Sequence, residues 1–337
     1  MLPRTGRVRG VAVVSVSAAA LVLLILVGVA LGARSISLAD VGRILVHPGL
    51  TTYDAMVLWS ERIPRTLLAA LAGLALGAAG MIMQSVTLNP LADPGVLGVE
   101  AGASIAIVAG ILLLDANGLN SYFWLALVGA AMTTAVVYVI GTRVPGAGTT
   151  VGLVLAGAAV AALLTAGVAV MTMRDEVLDA SLRAWSVGQL TGRSGLLDDA
   201  WPIVLIGLVP VLFMGRTLNA LGLGADTAAG LGVNVVRSQL ACIAVAVVLC
   251  AAATAACGPI GFIGLLAAHL ARTLVGADHR WSLPVAALLG GTLLILADVI
   301  GRVIAPGDGE IAVGLVTAGV GAVFFIWMAR RKDLVTM

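Results

Sequence analysis

Residues 61–104 read ERIPRTLLAALAGLALGAAGMIMQSVTLNPLADPGVLGVEAGAS. Arginines lie on both sides of Pro64 at the start of this stretch, and an apolar run then extends from Thr66 to Met83. Three glycines of the run are spaced for close helix packing, namely Gly73, Gly77 and Gly80. A polar turn with two prolines, residues 89–95, separates this run from a second apolar run. This order predicts a membrane helix, a tight turn and a returning helix.

The composition of the chain is that of an integral membrane protein. Of its 337 residues, 61% are hydrophobic and 11% are charged, and the mean hydropathy is +1.12, whereas a soluble domain is about a quarter charged. The apolar runs are long enough to cross a bilayer as helices, and the alternating pattern of barrel strands is absent. We therefore expect an all-α integral membrane fold. The net charge of +2 gives no reason to expect a nucleic-acid partner.

Ten apolar stretches predict about ten transmembrane helices in one membrane domain that covers residues 1–337. Ten crossings place both termini on the same side of the membrane. Arginines within residues 4–9 and the basic residues 330–332 mark that side as cytoplasmic, because basic residues are enriched there. The predicted spans are residues 11–33, 63–86, 96–114, 122–141, 151–173, 200–215, 238–257, 260–275, 283–301 and 311–329.

Two connecting segments are longer than a plain helix bundle needs. The predicted outer segment, residues 174–199, carries apolar side chains at near-helical spacing, and Trp185 suggests a helix that lies at the membrane interface. The predicted inner segment, residues 216–237, is polar, contains several glycines and is too weakly apolar to span. Its pattern is compatible with short helices that share one apolar edge, or with a plain polar loop.

The sequence gives no support for a phosphate-binding loop, a metal site or a catalytic set. A phosphate-binding loop needs a lysine after its glycines, and no glycine-rich loop precedes Lys332, the one lysine of the chain. Cys242, Cys250 and Cys257 share one helix face and read as small buried apolar residues. The three histidines are dispersed, so the sequence indicates neither a metal site nor a catalytic set.

The stretch at residues 61–104 closely resembles the permease subunits of ABC importers for iron–siderophore complexes, haem and cobalamin. Residues 223–232, LGADTAAGLG, are similar to the LGE-x-x-A-x-x-LG motif of that family, and residues 297–302, ADVIGR, to AD-x-x-A-R. Residues 261–272, GFIGLLAAHLAR, are similar to G-[FL]-[IV]-G-L-x-x-P-H-x-x-R. The resemblance extends from about Arg62 to Arg330. Residues 310–314, EIAVG, are similar to E-[IL]-P-[IV]-G, and the chain departs from the family motifs at Ala225, Ala268, Gly301 and Ala312.

The resemblance implies the permease of a type II ABC importer in the bacterial cytoplasmic membrane. Two permease chains, identical or related, would form a dimer with the translocation pathway at its axis. ATP-binding cassette ATPase subunits and an external substrate-binding protein would complete the assembly. ATP and Mg²⁺ would be used by the ATPase partner, and no covalently bound cofactor is expected. The expected cargo is a ferric siderophore or a similar metal chelate, with haem and cobalamin as alternatives.

The resemblance also assigns roles to residues that match the family motifs. Arginines at predicted outer helix ends would receive carboxylates of the binding protein, although on charge alone they could equally anchor the helices at the membrane surface. The inner segment would supply coupling helices that sit in a cleft of the ATPase. The implied docking residues are Arg62, Arg65 and Arg302, and the implied coupling residues are Leu218, Asn219, Leu221, Gly224, Asp226, Ala229, Leu231 and Gly232. The implied cytoplasmic gate consists of Asn89, Leu91 and Thr150, where the pattern alone indicates only a turn that ends a helix.

The two alternatives to an importer are a secondary transporter and a membrane-embedded enzyme. An ion-coupled secondary transporter is expected to carry ionisable residues near the middle of the bilayer on broken helices. Asp298 and Glu100 are the candidates, and both lie near the ends of predicted spans. A membrane-embedded enzyme needs a clustered catalytic set, which the sequence does not show.

Overall fold

The computed structural model describes residues 4–32, 36–47, 49–50, 52–143, 149–173, 176–305 and 309–330. These residues form fourteen α-helices and no strand, so the predicted all-α membrane fold is confirmed. The helices are α1 (Arg4–Ala30), α2 (Leu38–Val46), α3 (Tyr53–Val57), α4 (Ile63–Thr87), α5 (Val99–Leu114), α6 (Leu119–Gly141), α7 (Thr149–Thr172), α8 (Glu176–Ser186), α9 (Leu197–Leu221), α10 (Ala225–Gly230), α11 (Val235–Cys257), α12 (Ile263–Val275), α13 (His279–Ile304) and α14 (Val313–Arg330).

Each of the ten predicted spans corresponds to one of these helices. Within the described ranges, seven helices are long and apolar enough to cross a membrane, and α5, α12 and α14 are shorter apolar helices. α4 continues the preceding turns without a break, so that one helical stretch covers 35 residues, Tyr53–Thr87.

The membrane helices run alternately between two ends of the bundle. Arg62 at the start of α4 and Arg302 at the end of α13 both reach the end of α1 with their side chains. This end is termed the arginine end. Asn219 at the end of α9 contacts Asp278 just before α13 at the opposite end, which is termed the coupling end.

The N-terminal end of α1 and the C-terminal end of α14 lie on the same side of the bundle. Gly10, early in α1, packs directly against the ring of Trp281 in the first turn of α13. Late in α14, Phe324 contacts the ring of His269 of α12 at 5.3 Å between centroids. α1 therefore begins, and α14 ends, at the coupling end.

α4 forms the centre of the bundle, and every one of its residues from Ala75 to Ser85 is buried. The three glycines that the sequence marks for close packing are in such contacts, because a Cβ at any of them would clash with the backbone of a neighbouring helix. The contacts are Gly73 with Gly290, Gly77 with Ala286, and Gly80 with Gly264. α4 thus packs backbone against backbone on α13 and α12, as small residues allow in membrane bundles.

The segment between α1 and α4 contains structure that the sequence analysis did not predict. α2 and α3 pack against the end of α1 through a small separate hydrophobic cluster. A π-helical turn, Leu58–Arg62, then joins α3 to α4. The cluster consists of Val29, Ala30, Ile36, Val41, Ile44, Ala55 and Leu58. This arrangement holds Arg62 beside the end of α1.

The predicted outer segment contains α8, and its apolar face points towards the protein. Leu182 and Trp185 are 9% and 8% exposed, and Leu190 after the helix is 1% exposed. The bundle itself covers the side chain of Trp185, and the expectation that this helix lies at the membrane interface stays a prediction. The backbone N–H of Gln189 also donates to the carbonyl of Cys257 at 2.8 Å, which ties the segment to the end of α11.

The predicted inner segment is partly helical at both of its ends. α9 continues to Leu221, six residues beyond the predicted span, which ends at residue 215. The reason is a buried stripe with helical spacing that continues through the polar residues, formed by Ala200, Val204, Gly207, Val211, Gly215, Leu218 and Leu221. Only residues 222–234 remain as a connection, with α10 inside it.

Candidate functional site

The arginine end is organised around the carboxylate of Asp298, which is 2% exposed. Arg65 of α4 donates two hydrogen bonds to Oδ1 of Asp298, from Nη2 at 2.7 Å and from Nε at 3.2 Å. Arg302, one turn further along α13, places its Nη2 2.8 Å from Oδ2 of the same carboxylate. A buried carboxylate is costly unless it is paired, so Asp298 depends on these two arginines.

Arg62 and Arg302 bind the carbonyl groups at the end of α1, which have no partners within the helix. Nη1 of Arg62 donates to the carbonyl of Ala30 at 2.8 Å. Nη1 of Arg302 donates to the carbonyls of Gly28 at 3.0 Å and Leu31 at 2.9 Å. Positive charge at a helix C-terminus also complements the helix dipole. The two guanidinium groups therefore fasten α1 to α4 and α13.

Glu310 extends this network towards the surface. It accepts a hydrogen bond from Nη1 of Arg65 at 2.8 Å and another from the hydroxyl of Thr191 at 2.6 Å. Burial raises the pKa of Glu310, but these hydrogen bonds and the charges of Arg65 and Arg302 outweigh burial and hold the pKa below its ordinary value. Glu310 is thus held in its ionised form.

The network borders an open cavity of about 290 Å³. Positive and negative charges are nearly balanced around it, and Arg62 and Arg302 are only 7% and 6% exposed. The cavity therefore suits an exchange of ion-pair partners better than the capture of a free anion. Its charged lining residues are Asp54, Glu61, Arg62, Arg65, Arg302 and Glu310. The docking role of the three arginines stays a prediction.

The coupling residues implied by the resemblance lie at the coupling end and fall into two groups. Leu218 and Leu221 are buried in the core, and Asn219 is partly buried, so these residues hold the segment on the bundle. Leu231 is 64% exposed, as is Leu223 at 61%, which leaves an apolar surface around α10. The other residues at or near this surface are Gly224, Asp226, Ala229 and Gly232. Their contact with an ATPase stays a prediction.

The implied gate residues Asn89 and Leu91 belong to the turn after α4. Leu88 ends the helix in the left-handed conformation, with a φ of 51°. The side-chain Oδ1 of Asn89 then accepts a hydrogen bond from the backbone N–H of Leu91 at 2.9 Å, which closes the turn. Thr150 lies in the first turn of α7, and its side chain lies outside the described residues. The gate role also stays a prediction.

Asp93 shapes the second half of the same turn. Its Oδ1 accepts a hydrogen bond from the backbone N–H of Gly95 at 2.8 Å and so caps a short 3-10 turn, Pro94–Leu97. Burial raises the pKa of Asp93, and the hydrogen bond from Gly95 opposes this only in part. The carboxyl group therefore takes up a proton at a higher pH than an ordinary aspartate.

The sequence analysis missed a chain of hydrogen bonds that joins three helices at the coupling end. Nδ2 of Asn219 donates to Oδ1 of Asp278 at 2.6 Å, and Oδ1 of Asn219 accepts from the backbone N–H of His279 at 2.8 Å. The ring Nδ1 of His279 lies 2.8 Å from Oδ1 of Asn219, and its Nε2 lies 2.6 Å from Oγ of Ser85 on α4. The sequence signal that could have pointed to it is the stretch GADHR, residues 276–280, which lies within the resemblance.

The cysteines occupy the positions that the sequence predicts for small apolar residues. Cys242, Cys250 and Cys257 are buried in α11 and carry free thiols. In the part of the chain that the structure describes, no group of three or more His, Cys, Asp or Glu residues could hold a metal ion.

Comparison with known proteins gives a consistent result. The model of the FecCD transport family matches residues 20–331. The ferric enterobactin transport system permease protein FepD of Escherichia coli (strain K12) is 47% identical over 283 residues, which cover 83% of each chain. The hemin transport system permease protein HmuU of Yersinia pestis is 39% identical over 291 residues, or 84% of this chain and 86% of the relative.

A solved structure is similar over nearly the whole length of the chain. It is described as an inward-facing conformation of a metal-chelate type ABC transporter, and it matches with a TM-score of 0.81 and 25% identity. The match covers 96% of this chain and 100% of the other. Since the family model spans almost the entire sequence and the relatives are close, the chain belongs to the FecCD transport family.

Proposed function

We propose that this chain is the transmembrane permease subunit of an ATP-driven importer that moves a ferric siderophore or a similar metal chelate into the cytoplasm. The observation that carries this proposal is the arrangement of the ten membrane helices in the described ranges. They place an arginine cluster at one end of the bundle and the exposed segment around α10 at the other. Membership of the FecCD transport family supports it, since the relatives from Escherichia coli and Yersinia pestis are both named as transport permeases.

The two ends of the bundle suit two different partners. An external binding protein would dock at the arginine end through acidic residues, since long-range attraction steers and orients a charged partner. ATP-binding cassette subunits would dock at the coupling end, where Leu223 and Leu231 are exposed. The coupling end would then face the cytoplasm of a bacterial inner membrane, with both terminal helices ending on that side.

The permease would change conformation during transport and would not itself catalyse a reaction. ATP and Mg²⁺ would be used by the partner ATPase, whose cycle moves residues 216–237 and biases the permease between states that are open to opposite sides of the membrane. A second permease chain, identical or related, would complete the translocation pathway. Because the cargo travels as a chelate, the permease needs neither metal ligands nor a covalently bound cofactor.

A ferric siderophore is the first candidate cargo because the relative with 47% identity is named for ferric enterobactin. Haem is the second candidate, since the relative with 39% identity is named for hemin. A cobalamin permease of Halobacterium salinarum is 36% identical. The order of these identities favours the siderophore.

Transport in reconstituted vesicles tests the proposal. The vesicles contain this permease, its ATPase partner and its binding protein, and uptake of ferric siderophore is compared with uptake of haem and cobalamin. We expect uptake that requires ATP hydrolysis and that the binding protein stimulates. Uptake driven by a proton or sodium gradient without ATP would contradict the importer and favour a secondary transporter.

A matched pair of variants tests which end binds the ATPase. Leu231→Asp and Val46→Asp each place a carboxylate on an exposed apolar position, since the two side chains are 64% and 73% exposed. Leu231→Asp at the coupling end should reduce copurification of the ATPase about tenfold, because a buried unpaired charge in an interface is costly. Val46→Asp at the arginine end should leave copurification unchanged. Equal retention of the ATPase by both variants would contradict the assignment.

A further inference from the structure

Asn219, His279 and Ser85 connect the coupling segment with the helix that carries the gate turn. Asn219 lies in the last turn of α9 within residues 216–237, His279 begins α13, and Ser85 lies in the last turns of α4. Their side-chain contacts measure 2.6 to 2.8 Å. Asn89 of the gate turn follows Ser85 after about one helical turn. The hydrogen bonds thus span the whole distance between the two functional segments.

Each group in this series of hydrogen bonds can be assigned as a donor or an acceptor. Asn219 uses its Nδ2 to donate to Asp278, so its Oδ1 is left to accept from His279. Nδ1 of His279 therefore carries a proton, and the neutral ring presents Nε2 as an acceptor to the hydroxyl of Ser85. The single proton of that hydroxyl can be donated to Nε2 or, as the alternative, to the carbonyl of Met81 at 2.6 Å. The hydrogen bond between Ser85 and His279 can therefore form or break without leaving the buried hydroxyl proton without an acceptor.

The packing around these side chains leaves little room to absorb a displacement. A Cβ on Gly215 of α9 would lie 2.9 Å from Cα of Arg280, so the end of α9 rests on the backbone of α13. α13 in turn packs on α4 where Gly290 meets Gly73. Close-packed elements transmit strain because they compress very little. A shift of α9 is therefore passed to α13 and then to α4.

A second polar contact at the same end of α4 follows a different route. Gln84, next to Ser85, accepts a hydrogen bond from Nη1 of Arg272 at 2.6 Å. Arg272 belongs to α12, whereas His279 leads back to Asn219 and the coupling segment. The contact made by Ser85, and not the one made by Gln84, therefore joins α4 to the predicted ATPase contact.

We propose that Asn219, His279 and Ser85 form the link through which movement of the coupling segment positions the gate turn after α4. The inference rests on the proposed function, because it takes residues 216–237 as the ATPase contact and residues 89–91 as the gate. His279 acts as a positioning residue. It passes the displacement of α9 to α4, and its role requires no contact with the ATPase or the cargo.

Spin labels on the complete reconstituted complex test the link without using the cargo. One preparation carries a nitroxide at Leu88→Cys on the gate turn, and another carries it at Leu223→Cys in the coupling segment. These positions are 64% and 61% exposed, and the native cysteines are buried. Trapping the ATPase with nucleotide and vanadate should change the paramagnetic resonance spectrum at both positions.

The variant Ser85→Ala should separate the two responses. The label at position 223 should respond as before, whereas the response at position 88 and the cargo transported per ATP hydrolysed should both fall about tenfold, the factor expected for one buried hydrogen bond. Ser85→Thr keeps the hydroxyl and should restore both. Ser104→Ala is the matched control, because that hydroxyl donates to a carbonyl one turn earlier, at 2.9 Å, as the Ser85 hydroxyl can do with Met81, and the described residues give it no cross-helix contact.

A double variant distinguishes a link from a general loss of stability. Asn219→Ala and Ser85→Ala break the same chain of hydrogen bonds. The double variant should therefore transport no less cargo per ATP hydrolysed than either single variant. A purely structural role would make ATPase activity and the thermal unfolding midpoint fall in parallel with the transport per ATP hydrolysed. That result would overturn the proposal.

The outcomes keep this inference separate from the proposed function. If the unmodified complex transports neither ferric siderophore nor haem nor cobalamin but both labels respond to trapping, the proposed import function fails and the link stands, provided that Ser85→Ala silences position 88. If Ser85→Ala leaves the response at position 88 intact while transport continues, the link fails and the proposed function stands.

Discussion

Arg65 on α4 and Asp298 on α13 form an ion pair at 2.7 Å between two helices whose backbones are in direct contact. The second carboxylate oxygen of Asp298 faces Arg302 at 2.8 Å, so one buried anion serves two cations. Charged residues in membrane helices are costly unless they pair or reach water. The pair therefore acts as a polar clamp between α4 and α13 at the arginine end.

Replacing Asp298 by Asn should destabilise the protein by about 3 to 5 kcal/mol, because Arg302 would remain buried without its counter-charge and Arg65 would keep only the partly exposed Glu310. The measurement is the free energy of unfolding of the purified permease in detergent. The control is Asp40→Asn, which breaks the exposed pair with Arg43 at 3.3 Å and should cost less than about 1 kcal/mol. Similar losses in the two variants would show that the clamp adds nothing to stability.

Gly77→Ala tests the contact between the backbones of α4 and α13. The added Cβ would clash with the carbonyl oxygen of Ala286, so the helices must separate, at a cost of about 1 to 3 kcal/mol. Gly42→Ala is the control, since nothing lies within 4 Å of a Cβ built there in α2. It should stabilise by about 0.5 to 1 kcal/mol, because alanine favours helix. Destabilisation by both changes, or by neither, would contradict the packing described.

The membrane helices could be predicted from the sequence because each is an apolar run of sufficient length. The close packing at Gly73, Gly77 and Gly80 could be predicted for a related reason, since small residues at helical spacing have few other uses in a membrane helix. The extension of α9 was missed because its buried stripe, which ends at Leu218 and Leu221, passes through a polar segment. A hydropathy window averages such a stripe with its polar neighbours.

The polar networks could not be predicted in the same way because they join residues far apart in the chain. The resemblance selects Arg62, Arg65 and Arg302 as docking residues, but only the fold shows that Asp298 lies between Arg65 and Arg302. The link of Ser85 to His279 likewise depends on the packing of α4 against α13. Hydropathy and motif spacing carry no information about which polar side chains meet at a helix crossing.

Acid should weaken the arginine end through Glu310. Burial raises the pKa of Glu310, but the hydrogen bonds from Thr191 and Arg65 outweigh this and hold the pKa below its ordinary value. The ionised carboxylate thus contributes stability above the pKa of an unfolded glutamate, about 4.3, and this stability is lost as the pH falls through the lower value of the folded protein. The unfolding midpoint of the wild type should therefore fall between pH 6 and pH 3.5 more steeply than that of Glu310→Gln.

A control variant separates this effect from general acid sensitivity. Glu176→Gln removes an exposed carboxylate at the start of α8. It should leave the pH dependence as steep as in the wild type. If Glu310→Gln and the wild type show the same slope, Glu310 does not contribute in the way described.

Docking of a binding protein at Arg65 should depend on competition with the carboxylates that already hold it. Glu310 is the accessible competitor, with a side chain that is 25% exposed against 2% for Asp298. Glu310→Gln keeps the shape of the side chain but removes its charge, so an incoming carboxylate should bind Arg65 more readily. We expect the affinity of the binding protein for the permease to rise about two- to fivefold, the range of a partly exposed ion pair.

Arg65→Gln should have the opposite effect, because it removes the cation for which the carboxylates compete. Both changes are measured as the Kd of the binding protein on permease held in nanodiscs, with Glu176→Gln as the control for a lost surface charge. The difference between Glu310→Gln and the wild type should shrink at high salt, since the screening length falls from about 10 Å at 0.1 M to about 3 Å at 1 M. Weaker binding by Glu310→Gln would mean that Glu310 itself contacts the partner and that Arg65 serves only as its internal clamp.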